Sequence, residues 1–225
     1  MKGLRKYLQS RHISGIQERI LPGTLLIVDG FAWLYFVLRG YVPFQKQYGG
    51  DYLALDALIR HSVQELTQQG FRLVVVFDGK NTPKSKDAVK EERRADRCDQ
   101  WYSIYEATLI GGLHDAGLNQ DNLVIPALST VQFMYTLQAC GIPLQFCEGE
   151  ADHEIAMLCQ SLPSAMIYSL DSDFLLMKGV GYIEMGTITF NGRESYAEVW
   201  RRRCTAEELG MTEVRSHRLT YLLTY

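Results

Sequence analysis

Four acidic residues in the second half of the chain form two pairs whose members lie two positions apart. Glu150 is paired with Asp152, and Asp171 is paired with Asp173. The second pair follows an apolar run, residues 166–170, which is typical of a buried strand. Because a buried charge without a partner is costly, such carboxylates are expected beside a cation. Clusters of hard oxygen ligands suit Mg²⁺ or Mn²⁺, so these residues first indicate divalent-metal chemistry.

Two further apolar runs also end in an aspartate, which is followed each time by a glycine. Residues 25–28 lead into Asp29, and residues 73–77 lead into Asp78. A fourth run, residues 144–147, comes shortly before the first acidic pair. Ligands of an open parallel sheet bind outside the carboxyl ends of its strands, so four segments are predicted to bring acids to one edge. A single aspartate after a strand is more often a helix cap or turn residue, but four such junctions favour a common site.

Length and composition are those of one α/β domain with a substantial core: 225 residues, 47% hydrophobic and 22% charged. The formal net charge of −3 argues against a generally basic nucleic-acid binder, although a local basic patch suffices for binding. The five cysteines form no CxxC motif, so we expect reduced, mostly buried thiols of an intracellular protein and no zinc site. The N-terminus lacks an early apolar segment, and the most membrane-like stretch, residues 25–38, is too short to span a bilayer. We therefore expect neither a signal peptide nor a membrane partner.

Between residues 80 and 97 the chain carries a dense mixture of basic and acidic side chains. The basic residues are Lys80, Lys84, Lys86, Lys90, Arg93, Arg94 and Arg97. Those at positions 86, 90, 94 and 97 would share one face of a helix. The usual interpretation of such a run is a solvated helix with ion pairs four residues apart. The alternative is a stripe that contacts phosphate groups beside the metal site.

Two other segments have strong helical patterns. Residues 31–39 are apolar nearly all round, which is typical of a buried helix and by itself favours a core role for Tyr35. Residues 53–69 predict an amphipathic helix that is ended by Gly70. A third, aromatic-rich helix is expected over residues 101–117, with a break at its two consecutive glycines.

The last part of the chain combines a capped helix with short strands. Ser129 or Thr130 is expected to cap a helix that runs to residue 139. Strand-like runs at residues 181–185 and 187–190 precede a turn signal at Asn191-Gly192.

Six short motifs occur in an order and spacing that resemble one nuclease superfamily. They are Leu26-Ile27-Val28-Asp29-Gly30, Tyr48-Gly49-Gly50-Asp51-Tyr52, Val75-Val76-Phe77-Asp78-Gly79-Lys80, Gly141-Ile142-Pro143, Gly149-Glu150-Ala151-Asp152 and Ser169-Leu170-Asp171-Ser172-Asp173. On these motifs the chain resembles the flap endonuclease/XPG-like nucleases, which have a PIN-like domain, and within them the Asteroid branch. The Tyr-Gly-Gly-Asp-Tyr loop points to that branch. The resemblance covers nearly the whole chain.

The resemblance implies an α/β fold with a mostly parallel, twisted sheet flanked by helices and an acidic cluster at the carboxyl ends of the strands. Residues 1–225 would form a single PIN-like nuclease domain, with a gateway-like helical insertion at about residues 80–117. The family's C-terminal helix-hairpin-helix portion would lie beyond Tyr225. The family also has a seventh aspartate, for which this chain offers no counterpart after Asp173.

The family's spacing also selects which acids take the metal roles. Its Gly-Ile-Pro motif is followed by acids seven and nine positions after the proline, which here are Glu150 and Asp152 and leave Glu148 outside. The implied metal ligands and catalytic residues are Asp29, Asp78, Glu150, Asp152, Asp171 and Asp173. The family's stacking tyrosine lies six residues after the first aspartate, which makes Tyr35 a candidate base-stacking residue. The implied nucleic-acid-binding residues are Tyr35, Lys80, Lys84, Lys86, Lys90, Arg93 and Arg94.

The leading hypothesis is a structure-specific DNA nuclease that uses two Mg²⁺ ions, or Mn²⁺ in their place, to hydrolyse flap, splayed or single-stranded DNA in the nucleus. RNA is a second possible substrate. One alternative is a catalytically silent PIN-like module that binds RNA, DNA or a partner protein. Another is a phosphate-ester hydrolase without a nucleic-acid role. The six acids favour an enzyme, whereas the missing seventh acid favours the silent module or a weak enzyme.

Overall fold

Strands and helices alternate along most of the chain. A computed structural model describes residues 15–39, 50–79, 87–109, 125–162, 164–192 and 194–201. The strands are β1 (Ile16–Ile20), β2 (Leu25–Asp29), β3 (Arg72–Phe77), β4 (Leu144–Phe146), β5 (Ala165–Ser169), β6 (Gly181–Glu184), β7 (Thr189–Asn191) and β8 (Glu194–Arg201). The helices are α1 (Gly30–Arg39), α2 (Tyr52–Gln68), α3 (Asp87–Leu109), α4 (Ser129–Ala139) and α5 (Ala151–Ser161), with a 3-10 helix at Ser172–Leu176.

The eight strands that the described residues form belong to one mixed sheet. Its order is β1-β8-β6-β5-β2-β3-β4, and β7 also pairs with β8. The five strands from β6 to β4 pair in parallel. β8 pairs antiparallel with β1, β6 and β7, and these outer strands β1, β7 and β8 are called the antiparallel wing below. The predicted mostly parallel sheet flanked by helices is therefore confirmed, and the wing is an addition to it.

Helices cover both faces of the parallel strands, so the core has two layers. On one face, α1, α2 and α4 pack against the strands through buried side chains that include Trp33, Ile59 and Phe133. On the other face, α5 and the 3-10 helix contribute residues such as Ile155 and Phe174. Burial on both faces explains why the sequences of β2 and β3 are almost continuously apolar.

The Tyr-Gly-Gly-Asp-Tyr motif has a local structural role at its last two residues. The carboxylate of Asp51 caps α2 by accepting hydrogen bonds from the N–H groups of Leu53 and Ala54. The hydroxyl of Tyr52 accepts a hydrogen bond of 3.1 Å from the N–H of Leu128, just before α4. These contacts bring together the beginnings of two helices that are far apart in sequence.

Several predicted element boundaries differ from the structure. α4 begins without a side-chain cap, so the expected capping by Ser129 or Thr130 is wrong: its cap position is Leu128, and Ser129 is buried inside the first turn. The basic run and the aromatic run belong to one helix, α3, whose described part ends at Leu109. α2 ends as expected near Gly70, whose positive φ of 83° suits glycine.

β1 and β8 were not predicted. β1 is an edge strand with a single buried residue, Ile20, so it lacks a clear apolar pattern. β8 does carry a pattern with a period of two, since Ser195, Ala197 and Val199 are buried in alternation. That alternation is the signal by which the strand could have been found.

Four cysteines lie in the described ranges and all are free. Cys147 and Cys159 are buried, Cys140 is partly buried and Cys98 is exposed. Burial beside Glu154 raises the pKa of the Cys147 thiol to about 12, so this thiol stays protonated at neutral pH. No helix among the described residues is long and apolar enough to cross a membrane.

Candidate active site

Acidic residues follow the carboxyl ends of four neighbouring strands, because β2, β3, β4 and β5 run in parallel. Asp29 is the last residue of β2 and Asp78 directly follows β3. Glu150 occupies the position before α5, and Asp152 lies in the first turn of that helix. The remaining pair follows β5: Asp171 precedes the 3-10 helix and Asp173 lies within it. These six acids are called the acidic edge below.

Asp29 is held by two hydrogen bonds and lies in a negative field. Its Oδ1 accepts from the N–H of Ala32 in α1 and its Oδ2 from the hydroxyl of Ser169, each at 3.0 Å. Burial raises the pKa of Asp29 most strongly, and the charges of Asp78 and Asp171 raise it further. The two hydrogen bonds lower that pKa but do not cancel the effect of burial.

Asp78 joins the end of β3 to the start of α5. Its Oδ1 accepts a hydrogen bond of 2.7 Å from the N–H of Ala151, the first residue of that helix. A helix N-terminus carries partial positive charge, which favours a carboxylate at this place. The next residue must be glycine, because a Cβ on Gly79 would lie 1.9 Å from the carbonyl oxygen of Cys147. Close backbone packing thus explains the Asp-Gly pair and fixes the position of Asp78.

Ser169 connects the acids of β2 and β5, and sequence reasoning did not assign it a role. Its fully buried hydroxyl donates to Asp29 and accepts a hydrogen bond of 3.0 Å from the N–H of Asp171. The carboxylate of Asp171 in turn accepts from the N–H of Asp173 at 2.9 Å. One hydroxyl therefore links the carboxylate of Asp29 to the backbone of Asp171, more than a hundred residues later. The signal in the sequence was a serine at the end of an apolar strand, which is too common to be specific.

Asp152 shows most clearly how the acids affect one another. Its pKa is raised to about 7, first by burial and then by the charges of Asp171, Asp29, Asp78 and Glu150. Five of the six predicted acids therefore share one negative field. Asp173 is placed beside them by its hydrogen bond to Asp171.

The donor set fits Mg²⁺ or Mn²⁺ in its chemistry. All six side chains are carboxylates, the oxygen ligands that these cations prefer. Burial, and after it the charges of neighbouring acids, raise the pKa values of Asp29 and Asp152, and a bound cation would relieve both effects. As placed, however, no three His, Cys, Asp or Glu side chains in the described ranges are grouped closely enough to hold a metal ion.

The predicted nucleic-acid contacts are described only in part. Tyr35 lies on α1, just past the acidic edge, and its side chain is 39% exposed. Arg94 is exposed on α3. Lys90 and Arg93 belong to the same helix, but their side chains fall outside the described part, as do Lys80, Lys84 and Lys86 entirely.

No protein-family model matches the chain. It is 24% identical over 189 residues to Protein asteroid of Drosophila melanogaster, a match that covers 84% of this chain and 20% of that protein. The chain therefore spans about one fifth of the length of the curated relative that it matches.

Three solved structures illustrate what the fold resembles. The catalytic core of Rad2 in complex with DNA substrate gives a TM-score of 0.59 at 18% identity, covering 92% of this chain and 57% of that one. GEN1 in complex with product DNA and a Mg²⁺ ion gives 0.53 at 16% identity, with coverages of 92% and 41%. Human GEN1 in complex with Holliday junction DNA gives 0.52 at 16% identity, with coverages of 93% and 46%. Identities this low establish a shared fold and leave the activity of this chain to be derived from its own residues.

Proposed function

Since the chain has the fold of the flap endonuclease/XPG-like nucleases, we propose that it is a divalent-metal-dependent nuclease that hydrolyses DNA at splayed, flap or single-stranded structures. A nuclease that acts on such DNA would act in the nucleus. The relatives named above include proteins solved with substrate DNA and with Mg²⁺, which supports both the substrate class and the cofactor.

One observation carries the proposal: the fold brings Asp29, Asp78, Glu150 and Asp171 close enough to Asp152 for their charges to raise its pKa, after burial. In the antiparallel wing, Glu194 is paired with Arg19 at 3.0 Å. By contrast, the pKa values of Asp29 and Asp152 are raised, first by burial and then by the charges of other acids, which costs folding free energy unless a cation is present. A site that weakens the fold in this way is typical of function.

The six acids would hold the cations, and backbone and hydroxyl groups would keep the acids in place. When bound, Mg²⁺ or Mn²⁺ would supply positive charge and Lewis acidity to the attacking water and the scissile phosphate. Ser169 would orient Asp29 and Asp171, and the N–H of Ala151 would orient Asp78. The products would be a 5′-phosphate and a 3′-hydroxyl, and no side chain need act as a covalent nucleophile.

The basic half of α3 and Tyr35 would bind the nucleic acid. Arg94 is exposed on α3, where it is available to phosphate groups. We propose the same role for Lys80, Lys84, Lys86, Lys90 and Arg93 because of their sequence positions alone. Tyr35 would stack on a displaced base.

A second candidate function is a binding module that holds RNA, DNA or a protein without cleaving it. One observation favours this function: in the structure, no three of the described acids are grouped closely enough to hold a metal ion. The two functions differ in one measurable property, which is cleavage that depends on a divalent cation.

The test is a cleavage assay on end-labelled single strands, flaps and duplexes with Mg²⁺, Mn²⁺ or EDTA, beside Asp171→Asn. Asparagine keeps an oxygen for the N–H of Asp173 but removes the charge. We expect cleavage to fall by roughly 10²–10³-fold, the size of losing one preorganised electrostatic stabiliser. Binding should stay equal or tighten, since one charge that repels phosphate is gone.

Glu18→Gln, in the antiparallel wing, is the matched control and should cleave like the wild type. Cleavage in EDTA, or cleavage by Asp171→Asn at the wild-type rate, would exclude the metal assignment. Tight binding without any cleavage in the wild type would favour the binding module.

A further inference from the structure

The exposed ring of Phe146 has a setting that differs from that of an ordinary surface hydrophobic residue. Phe146 is the last residue of β4, and 57% of its surface is exposed. Single exposed apolar side chains are common in soluble proteins, so exposure alone indicates nothing. The surroundings of the ring are what make it informative.

The ring is held flat against the core on one side. It stacks on Phe77 with a centroid distance of 5.5 Å and an interplanar angle of 19°. Phe77 is completely buried and is fixed by edge contacts with Phe31 at 5.5 Å and with Phe133 at 6.3 Å. Phe77, itself held by these two rings, therefore anchors one face of Phe146, and the other face is open to solvent.

The ring also lies beside the acidic edge. In the sheet, Phe146 pairs with Phe77, and the N–H of Cys147 donates to the carbonyl of Phe77 at 3.0 Å. Asp78 directly follows Phe77, the last residue of β3. Because neighbouring strands lie about 5 Å apart, the backbone of Phe146 is one strand spacing from that of Phe77. Within the described sheet β4 has only β3 as a neighbour, and the outer side of Phe146 is not covered by another strand.

We propose that Phe146 is a stacking platform for an unpaired nucleobase next to the scissile phosphate. The inference rests on the proposed nuclease function and adds to it a subsite at β4, the strand next to the one that Asp78 follows. A flat, preoriented aromatic ring with one open face matches the π-face of any base. Bases inside a duplex are stacked on both faces, so the ligand is a nucleotide of a single strand or a frayed end.

The test compares Phe146→Ala with Phe190→Ala, which removes a phenylalanine of similar exposure, 41%, from β7 in the antiparallel wing. Binding of fluorescently labelled oligothymidylate is measured in EDTA over a series of salt concentrations. Phe146→Ala should weaken binding to the single strand about tenfold and hardly change binding to a blunt duplex. The slope of log affinity against log salt should stay the same, because no phosphate contact is lost.

Three further variants separate stacking from other causes. Phe146→Tyr should bind like the wild type, since the ring remains. Phe146→Leu covers Phe77 but has no flat ring, so it should bind as weakly as Phe146→Ala and replaces that variant if it does not fold. Arg94→Glu should instead reduce the salt slope.

Unchanged single-strand binding in both Phe146→Ala and Phe146→Leu would overturn the inference while leaving the nuclease proposal intact. An equal loss in Phe190→Ala would overturn it as well, because the effect would not belong to this ring. If light scattering shows a wild-type dimer that Phe146→Ala converts to a monomer with unchanged binding, the ring serves a second copy of the chain instead. A wild type without any affinity for single strands would overturn both proposals.

Discussion

The acidic edge and the antiparallel wing treat charged side chains in opposite ways. In the wing, Arg19 pairs with Glu194 at 3.0 Å, and both Nη atoms of Arg201 contact the carboxylate of Glu18. Both of these pairs join β1 to β8. At the acidic edge, by contrast, Asp152 lies in a field of four other carboxylates.

The difference separates what stabilises the fold from what the fold is used for. Pairs of opposite charge at a surface contribute little, but they cost little and tie the edge strand β1 to β8. A buried group of like charges opposes folding until a cation binds. In the parallel half of the sheet, core packing must therefore offset the destabilising effect of the acidic edge. The wing adds strands without a comparable group of buried like charges.

The largest expected effect is on stability at the acidic edge. The folded-state pKa of Asp152, about 7, lies above the ordinary value of 3.8, so the folded protein binds this proton more tightly than the unfolded chain does. The resulting penalty is absent below about pH 4, grows as pH rises, and is complete above about pH 7. In EDTA at pH 8, Asp152→Asn should raise the free energy of unfolding by at most about 4 kcal/mol. The gain should vanish near pH 4, as thermal unfolding at several pH values would show.

Thermal unfolding of the wild type and of Asp152→Asn can also be compared with and without Mg²⁺. Added to the wild type at pH 8, it should raise the melting temperature, and it should raise that of Asp152→Asn less because one ligand is missing. A variant that is less stable than the wild type in EDTA at pH 8 would mean that Asp152 is satisfied by partners of its own. The contrast between edge and wing would then be wrong.

A smaller effect is expected at Ser169, whose hydroxyl joins Asp29 to Asp171. Ser169→Ala leaves a carboxylate oxygen and an N–H without their bridge, so Mn²⁺ affinity should fall about 10- to 100-fold, as for other groups that orient metal ligands. Ser169→Thr keeps the hydroxyl and should restore most of the affinity. Electron paramagnetic resonance of bound Mn²⁺ would measure both variants without any need for cleavage.

A purely structural role for Ser169 has a different signature. In that case Ser169→Ala would lower the melting temperature in EDTA but would bind Mn²⁺ like the wild type, and Ser169→Thr, which keeps the hydroxyl, would change neither. The hydroxyl would then stabilise the ends of the strands without orienting the acids.

The smallest effect is expected in the wing. Glu18→Gln removes the charge that Arg201 contacts, and the partly exposed pair should contribute no more than about 1 kcal/mol to the free energy of unfolding. The loss should shrink further in high salt, where exposed pairs are screened. Urea unfolding at low and high salt would measure it. A loss of several kcal/mol, unchanged by salt, would show that the wing depends on this pair far more than surface chemistry predicts.

The parallel half of the fold follows directly from the sequence. The runs of residues 25–28 and 73–77 are apolar because both of their faces are covered, and an aspartate follows each run. Parallel strands bring their carboxyl ends to one edge of the sheet, so the sequence alone predicts that these acids lie together. The helix over residues 30–39 and the stop at Gly70 were equally predictable from local pattern.

The wing and the finer geometry of the site were not predictable in the same way. β1 buries only Ile20 and is a strand because it pairs with β8, about 180 residues later in the chain. The absence of a cap at Ser129 and the continuity of α3 likewise depend on tertiary contacts that local propensity does not contain.

The sequence by itself determined which residue types reach the edge of the sheet, because period and polarity are local properties of the chain. Only the tertiary structure decided how they meet there. The hydroxyl of Ser169 bridges to a carboxylate 140 positions away, and the pKa of Asp152 depends on acids from four segments. The ring of Phe146 has one open face because β4 lies at the edge of the described sheet. Its other face is covered by Phe77. Hydrogen bonds, electrostatic fields and exposure are set by distances through space, which spacing along the chain does not specify.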